Sequence, residues 1–172
     1  MNLRSILILG ALSAFGPLAI DFYLPAFPAM ALAFGTDEQH VQLTLAAYFL
    51  GLSIGQLAYG PVADRFGRRV PLLVGVGLFT VASLACAFAP NLEWLMAARF
   101  VQALGGCAGM VISRAIVSDK CDAVGAAKVF SQLMLVMGLA PILAPMLGGL
   151  LVNTTGWQSI FLVLTGFSAL AG

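Results

Sequence analysis

Two residues stand out as able to do chemistry, because each is a charge set inside a long apolar run: Asp21 and Arg99. An arginine at membrane depth costs ~2.5–3.5 kcal/mol on insertion scales. A carboxylate there is pushed toward its neutral form by desolvation and toward its ionised form by a nearby cation. A group held between those influences can take up and release a proton as its exposure changes. If the first apolar run ends near Pro28, Asp21 lies ~10 Å from that edge, and Arg99 lies roughly 9 Å inside the edge set by Glu93. The matched depths predict a proton-coupling pair, with Asp21 as the proton site and Arg99 as its regulator. A static structural pair, or an arginine snorkelling to the interface, would also fit the pattern.

Other chemistries find little support. Cys107 is flanked by Gly105-Gly106 and Ala108-Gly109, but a nucleophile needs a base within reach. The sole histidine, His40, falls in a polar connection after the first apolar run. No H-E-x-x-H is present, and Cys86, Cys107 and Cys121 form no C-x-x-C pair. The cysteines read as small apolar fillers. The expectation is therefore no enzyme, no metal and no cofactor, with a proton gradient as the driving force. Tyr23, Tyr48, Gln56, Gln102, Met134 and Met137 are candidates to line a substrate cavity, with Tyr48, Gln56 and Tyr59 placed on one helix face. Ordinary helix packing explains these residues about as well.

The elements that must position these groups are membrane helices. The 172 residues are 61% hydrophobic and 9% charged, with a mean hydropathy of +1.03, whereas soluble domains carry ~25% charged residues. At ~20 apolar residues per crossing, the chain holds about six spans. Their predicted ranges are 3–25, 41–61, 71–89, 92–117, 126–151 and 157–172. No barrel-like alternation appears, so the fold class is all-α. Ala29-Met30-Ala31 resembles a signal-cleavage site, but the run before it exceeds the ~7–15 residues of a signal core and contains Asp21. The last span is short and lacks a flanking charge, which suggests a truncated sixth helix.

The net charge of +1 gives no sign of a nucleic-acid partner. Its distribution is more telling. Arg4, Arg65, Arg68, Arg69, Arg114, Lys120 and Lys128 fall on one side of the predicted spans, and Asp37, Glu38, His40 and Glu93 on the other. The positive-inside rule then puts the N-terminus in the cytoplasm, with Trp94 and Trp157 near the outer interface.

Between the second and third spans the chain reads Gly60-Pro61-Val62-Ala63-Asp64-Arg65-Phe66-Gly67-Arg68-Arg69. Pro61 is expected to end a helix, Gly67 to permit a tight turn, and Asp64 to cap or to pair with a guanidinium. This G-x-x-x-D-R-x-G-R-R pattern resembles the signature loop of the major facilitator superfamily. Arg99-Phe100-Val101-Gln102, followed by Gly105 and Gly106, is similar to a second motif of that superfamily, with a small departure in spacing. Asp21-Phe22-Tyr23-Leu24-Pro25, ending on Pro28, resembles the end of helix one in Bcr/CflA-type drug exporters. Pro141, Pro145, Gly148 and Gly149 resemble the antiporter motif of the superfamily's exporters, with Ala144 where a glycine is usual.

The resemblance implies the N-terminal six-helix bundle, residues 1–172, of a twelve-helix exporter in the bacterial cytoplasmic membrane. It implies drug-like substrates, protons, lipid and a C-terminal six-helix half as partners. It also implies an inner conformational gate built from Gly60, Asp64, Arg65, Gly67, Arg68, Arg69 and Arg114, in which Asp64 meets Arg114. Transport of a narrower metabolite, such as an amino acid, peptide or sugar, and a transport-inactive fragment remain alternatives.

Overall fold

A computed structural model describes residues 3–171, with side chains from Ile6 onward, so the Arg4 side chain and Gly172 lie outside the described part. Every regular element in it is helical: α1 (Leu3–Ser13), α2 (Phe15–Asp21), a 3-10 turn (Leu24–Ala26), α3 (Phe27–Phe34), α4 (Glu38–Phe66), α5 (Arg69–Ala87), α6 (Leu92–Lys120), α7 (Ala123–Thr155) and α8 (Gln158–Ala171). Five stretches are long and apolar enough to cross a membrane, namely Phe15–Phe34 and α4 to α7; α8 is apolar but shorter.

The first predicted span is not one helix. Proline has no N–H to offer the carbonyl four residues before it. Pro17 therefore leaves the Ser13 carbonyl, and Pro25 the Asp21 carbonyl, without the usual ladder partner. The helix breaks at both places, α1 ending at Ser13 and α2 at Asp21. Pro61 behaves differently from expectation. It lies inside α4, which continues to Phe66 and stops at Gly67. A membrane helix tolerates one missing bond where neighbouring helices support it. Gly67 has φ +77°, a conformation that L side chains rarely adopt, so the glycine ends the helix. Pro71 falls in the first turn of α5, where its missing N–H has no helical partner to lose. α7 passes through Pro141 and Pro145 as one 33-residue helix.

The starts of α4, α6 and α7 are set by side-chain caps. Asp37 accepts from the His40 backbone N–H at 2.8 Å, Asn91 from Trp94 at 2.8 Å and Asp122 from Gly125 at 3.1 Å. Each bond satisfies one of the donors orphaned at a helix N-terminus.

α6 is the axis of the bundle, packing against α4, α5, both pieces of the first span and α7. It buries Ala98, Gly105, Gly106, Ala108 and Gly109 on a face of small residues. Such residues let helix backbones approach closely in lipid, where the hydrophobic effect does not hold helices together. A Cβ at Gly105 would collide with the Phe79 backbone of α5, and one at Gly109 with the Leu12 carbonyl of α1. The contact is completed by Phe15 stacked on Phe79, ring centroids 4.8 Å apart. α7 is attached along one line only, Val129, Leu133, Ala140, Ala144 and Gly148. Trp94 is exposed at one end of the bundle, and Trp157 is buried against Phe34 and Phe161.

A side chain at Gly105 must separate α5 from α6. Gly105→Leu is expected to lower stability by about 3 kcal/mol or more, read as a large drop in the unfolding midpoint in detergent. Gly77→Ala, where an added Cβ meets nothing within 4 Å, should leave the midpoint unchanged or slightly raised.

Candidate transport site

Arg99 is wholly buried, and its guanidinium is sandwiched between two rings. The guanidinium carbon lies 4.2 Å from the Tyr23 centroid and 4.1 Å from that of Tyr48, with Phe161 at 5.8 Å. Nη1 donates to the Ala19 carbonyl at 3.1 Å and to Gln102 Oε1 at 2.7 Å. Gln102 Nε2 in turn donates to Ser83 Oγ at 2.7 Å, and that hydroxyl donates to the Phe79 carbonyl at 2.7 Å. The Tyr23 hydroxyl bonds to Thr44 Oγ1, which donates to the Val41 carbonyl at 2.6 Å. Arg99 Nε and Nη2 have no hydrogen-bond partner among the described residues. Each desolvated ring face is worth about 2 kcal/mol to a cation, so two faces offset the ~2.5–3.5 kcal/mol insertion cost without a carboxylate.

The expected pairing of Arg99 with Asp21 is absent among the described ion pairs, which join His40 to Asp37, and Arg68 to Asp64 and Asp119. The two residues match in depth but not in direction. Ala19, whose carbonyl meets Arg99, and Tyr23 lie one turn apart on the side facing α6. Asp21 is two positions from Ala19, about 200° around the helix. It is half-buried at the broken end of α2. Gly148 of α7 lies directly against that break, where a Cβ would come within 2.6 Å of the Phe22 carbonyl oxygen. Gly149 is near Pro25. The structure thus brings the end of the first span and the proline-glycine segment of α7 together.

The cavity candidates divide. Tyr23, Tyr48 and Gln102 are fully buried and pack around Arg99. Gln56 is exposed and does not share the buried face of Tyr48, being eight positions, about 80°, away. Tyr59 is half-buried beside an apolar groove of about 370 Å³ between α4 and α5. Met134 and Met137 border a different cavity, of about 410 Å³, together with Ser13, Arg114, Phe130 and Leu133.

Arg114 is therefore not the partner of Asp64. Asp64 Oδ1 accepts from Arg68 Nη1 at 2.6 Å, one turn along, and Arg68 Nε donates to Asp119 Oδ2 at 3.0 Å. The bonds to Asp119 and Asp64 hold the Arg68 pKa above its ordinary value. Arg114 and Asp119 are five positions apart on α6, about 140° around it, so they serve different neighbours. Gly60 and Gly67 flank this loop without tight contacts, Arg65 lies 5.5 Å from the Phe66 ring centroid, and Arg69 is exposed beside Arg68. Cys107 donates its thiol to the Leu52 carbonyl at 3.1 Å, while His40 pairs with Asp37 at 2.7 Å in a separate connection.

Ser83, Thr44 and Phe161 take part in the site and were missed from the sequence. A signal for two of them exists. Thr80 and Ser83 are hydroxyls one turn apart in an apolar helix, and Thr44 precedes Tyr48 by one turn. Nothing in the residues around Phe161 marks it.

Removing Gln102 tests whether it supports Arg99. Gln102→Leu leaves Nη1 short of an acceptor and is expected to cost about 1–3 kcal/mol, visible as a lower unfolding midpoint. Gln56→Leu should change that midpoint little. Equal effects of the two variants would count against the buried network.

The sequence profile described as Major Facilitator Superfamily matches residues 7–172. A Bacillus subtilis protein described as an uncharacterized MFS-type transporter, YdgK, is 48% identical over 159 residues, covering 91% of this chain and 40% of that protein. A Haemophilus influenzae bicyclomycin resistance protein homolog is 37% identical, covering 96% of this chain and 42% of its own length. A Pseudomonas aeruginosa chloramphenicol resistance protein is 36% identical, with 93% and 38% covered. The chain thus spans about two fifths of the length of the curated relatives it matches. With the signature loop, the Arg99 segment and an all-helical membrane bundle agreeing with these matches, the chain belongs to the major facilitator superfamily.

Proposed function

We propose that this chain is the N-terminal six-helix half of an exporter that moves drug-like molecules out of the bacterial cytoplasm in exchange for protons. The observation that carries this reading is Asp21. It is an acid in the interior of a span, half-buried at a proline-broken helix end, with no ion partner among the described residues. A carboxylate so placed can bind a proton when the cavity faces outward and release it when the cavity faces inward. Arg99, one helix face away, keeps a positive charge near that proton site whichever state is occupied. The names of the bicyclomycin and chloramphenicol resistance relatives support drugs as cargo.

The remaining assignments follow from the same reading. Arg65, Arg68, Arg69 and Lys120 gather at one end of the bundle, which supports a cytoplasmic placement of that end and of the N-terminus. The Asp64–Arg68–Asp119 network there is a surface cluster worth little to folding, and it suits a gate that must open and re-form. A second six-helix bundle would complete the midplane cavity, as facilitators rock two halves about a central site. The proton gradient is the energy source, and no cofactor is assigned.

The test uses the full-length protein in proteoliposomes with an imposed proton gradient. Asp21→Asn should abolish gradient-driven drug movement while leaving drug binding measurable. Retention of gradient-driven transport in that variant would overturn Asp21 as the coupling site.

A further inference from the structure

We infer that the cargo is an amphipathic molecule whose polar end is an anion or a strong hydrogen-bond acceptor, held by Arg114 and Ser13. This rests on the export reading above and assigns its cargo a chemical class. The cavity of about 410 Å³ bordered by Ser13, Arg114, Phe130, Leu133, Met134 and Met137 lies among α1, α6 and α7. Its size falls within the ~300–1,000 Å³ of small-molecule sites.

Its walls are an aromatic ring, a leucine and two thioethers. Methionine is flexible and polarizable and fits apolar bodies of varied shape. The polar groups are few and directional. Arg114 is the one charged residue among those bordering the cavity, and the described ion pairs do not include it. It is exposed and stands six residues, roughly 9 Å, before the end of α6, where an anion can reach it.

Ser13 is the second, independent observation. It is 2% exposed, and its Oγ has no hydrogen-bond partner among the described residues. A buried hydroxyl left unpaired costs free energy that a ligand atom can recover. It sits at the break between α1 and α2, where Pro17 also leaves the Ser13 backbone carbonyl without its ladder donor. A residue bearing a guanidinium and one bearing a hydroxyl at the border of an apolar cavity suit a carboxylate, nitro or carbonyl-rich group. The same guanidinium repels a cation, and no bordering carboxylate compensates. Asp21 is eight residues from Ser13 and does not border the cavity, so cargo and proton bind at separate places.

The experiment measures equilibrium binding to the full-length protein in nanodiscs, with empty discs subtracted. Three dansyl probes share one aromatic body and end in a carboxylate, a primary amide or a trimethylammonium group. The carboxylate probe should bind about tenfold or more tighter than the trimethylammonium probe. Arg114→Gln should erase that preference, Arg114→Lys should keep it, and Ser13→Ala should weaken the carboxylate and amide probes severalfold. A parent protein that binds the trimethylammonium probe as tightly as the carboxylate would overturn the inference. So would an Arg114→Gln variant with its charge preference intact. If the preference holds but no probe or drug moves under a proton gradient, the cargo assignment stands and the export reading falls.

Discussion

The structure depends on how closely other helices can approach α6. Lipid tails are as apolar as leucine, so burying apolar side chains between helices gains little inside a bilayer, and contact itself must hold the bundle together. The contacts around α6 use residues with almost no side chain. Gly51 and Gly55 of α4 meet Phe100 and Cys107, Gly75 of α5 meets Ala108, and Gly109 of α6 meets Leu12 of α1. This closeness is what lets a residue on α6 reach groups on several other helices at once.

Arg99 uses that closeness most fully. Its guanidinium touches Ala19 and Tyr23 from the first span, Tyr48 from α4 and Phe161 from α8, and reaches α5 through Gln102 and Ser83. A buried charge normally calls for an opposite charge, yet here ring faces, one backbone carbonyl and one amide serve instead. Among the described residues no carboxylate pairs with Arg99, so the proton uptake proposed for Asp21 would break no ion pair at the centre of the fold.

Class, motifs and the spans after the first were legible in the sequence because they depend on composition and on position along the chain, whereas the first, predicted at 3–25, has its membrane-length stretch over Phe15–Phe34. Asp21 and Arg99 could be placed at equal depth from rise per residue alone. Their mutual direction could not, because azimuth depends on where each helix turns its face and on the break after Asp21. The same difficulty explains Asp64: its partner Arg68 is four residues away across the Gly67 break, while Arg114 borders a cavity with residues of α1 and α7. Gln56 and Tyr48 differ in exposure because about 80° of helix separates them, and Tyr48 and Gln102 pack around Arg99 because a polar residue in a span can serve packing as readily as a cavity. Pro61 misled for a local reason, since the helix it should have ended is held by its neighbours and by Gly67 beyond it.

α2 is seven residues long, and the prolines that delimit it remove backbone bonds at each end. In mechanical terms it is a short stiff link between two compliant joints. Rotation or tilt of such a link strains its own two connections and leaves the ladders of α1 and α3 intact. A change in the exposure of the acid at its end, as the proposed coupling needs, would then move a seven-residue link and not bend a whole transmembrane rod.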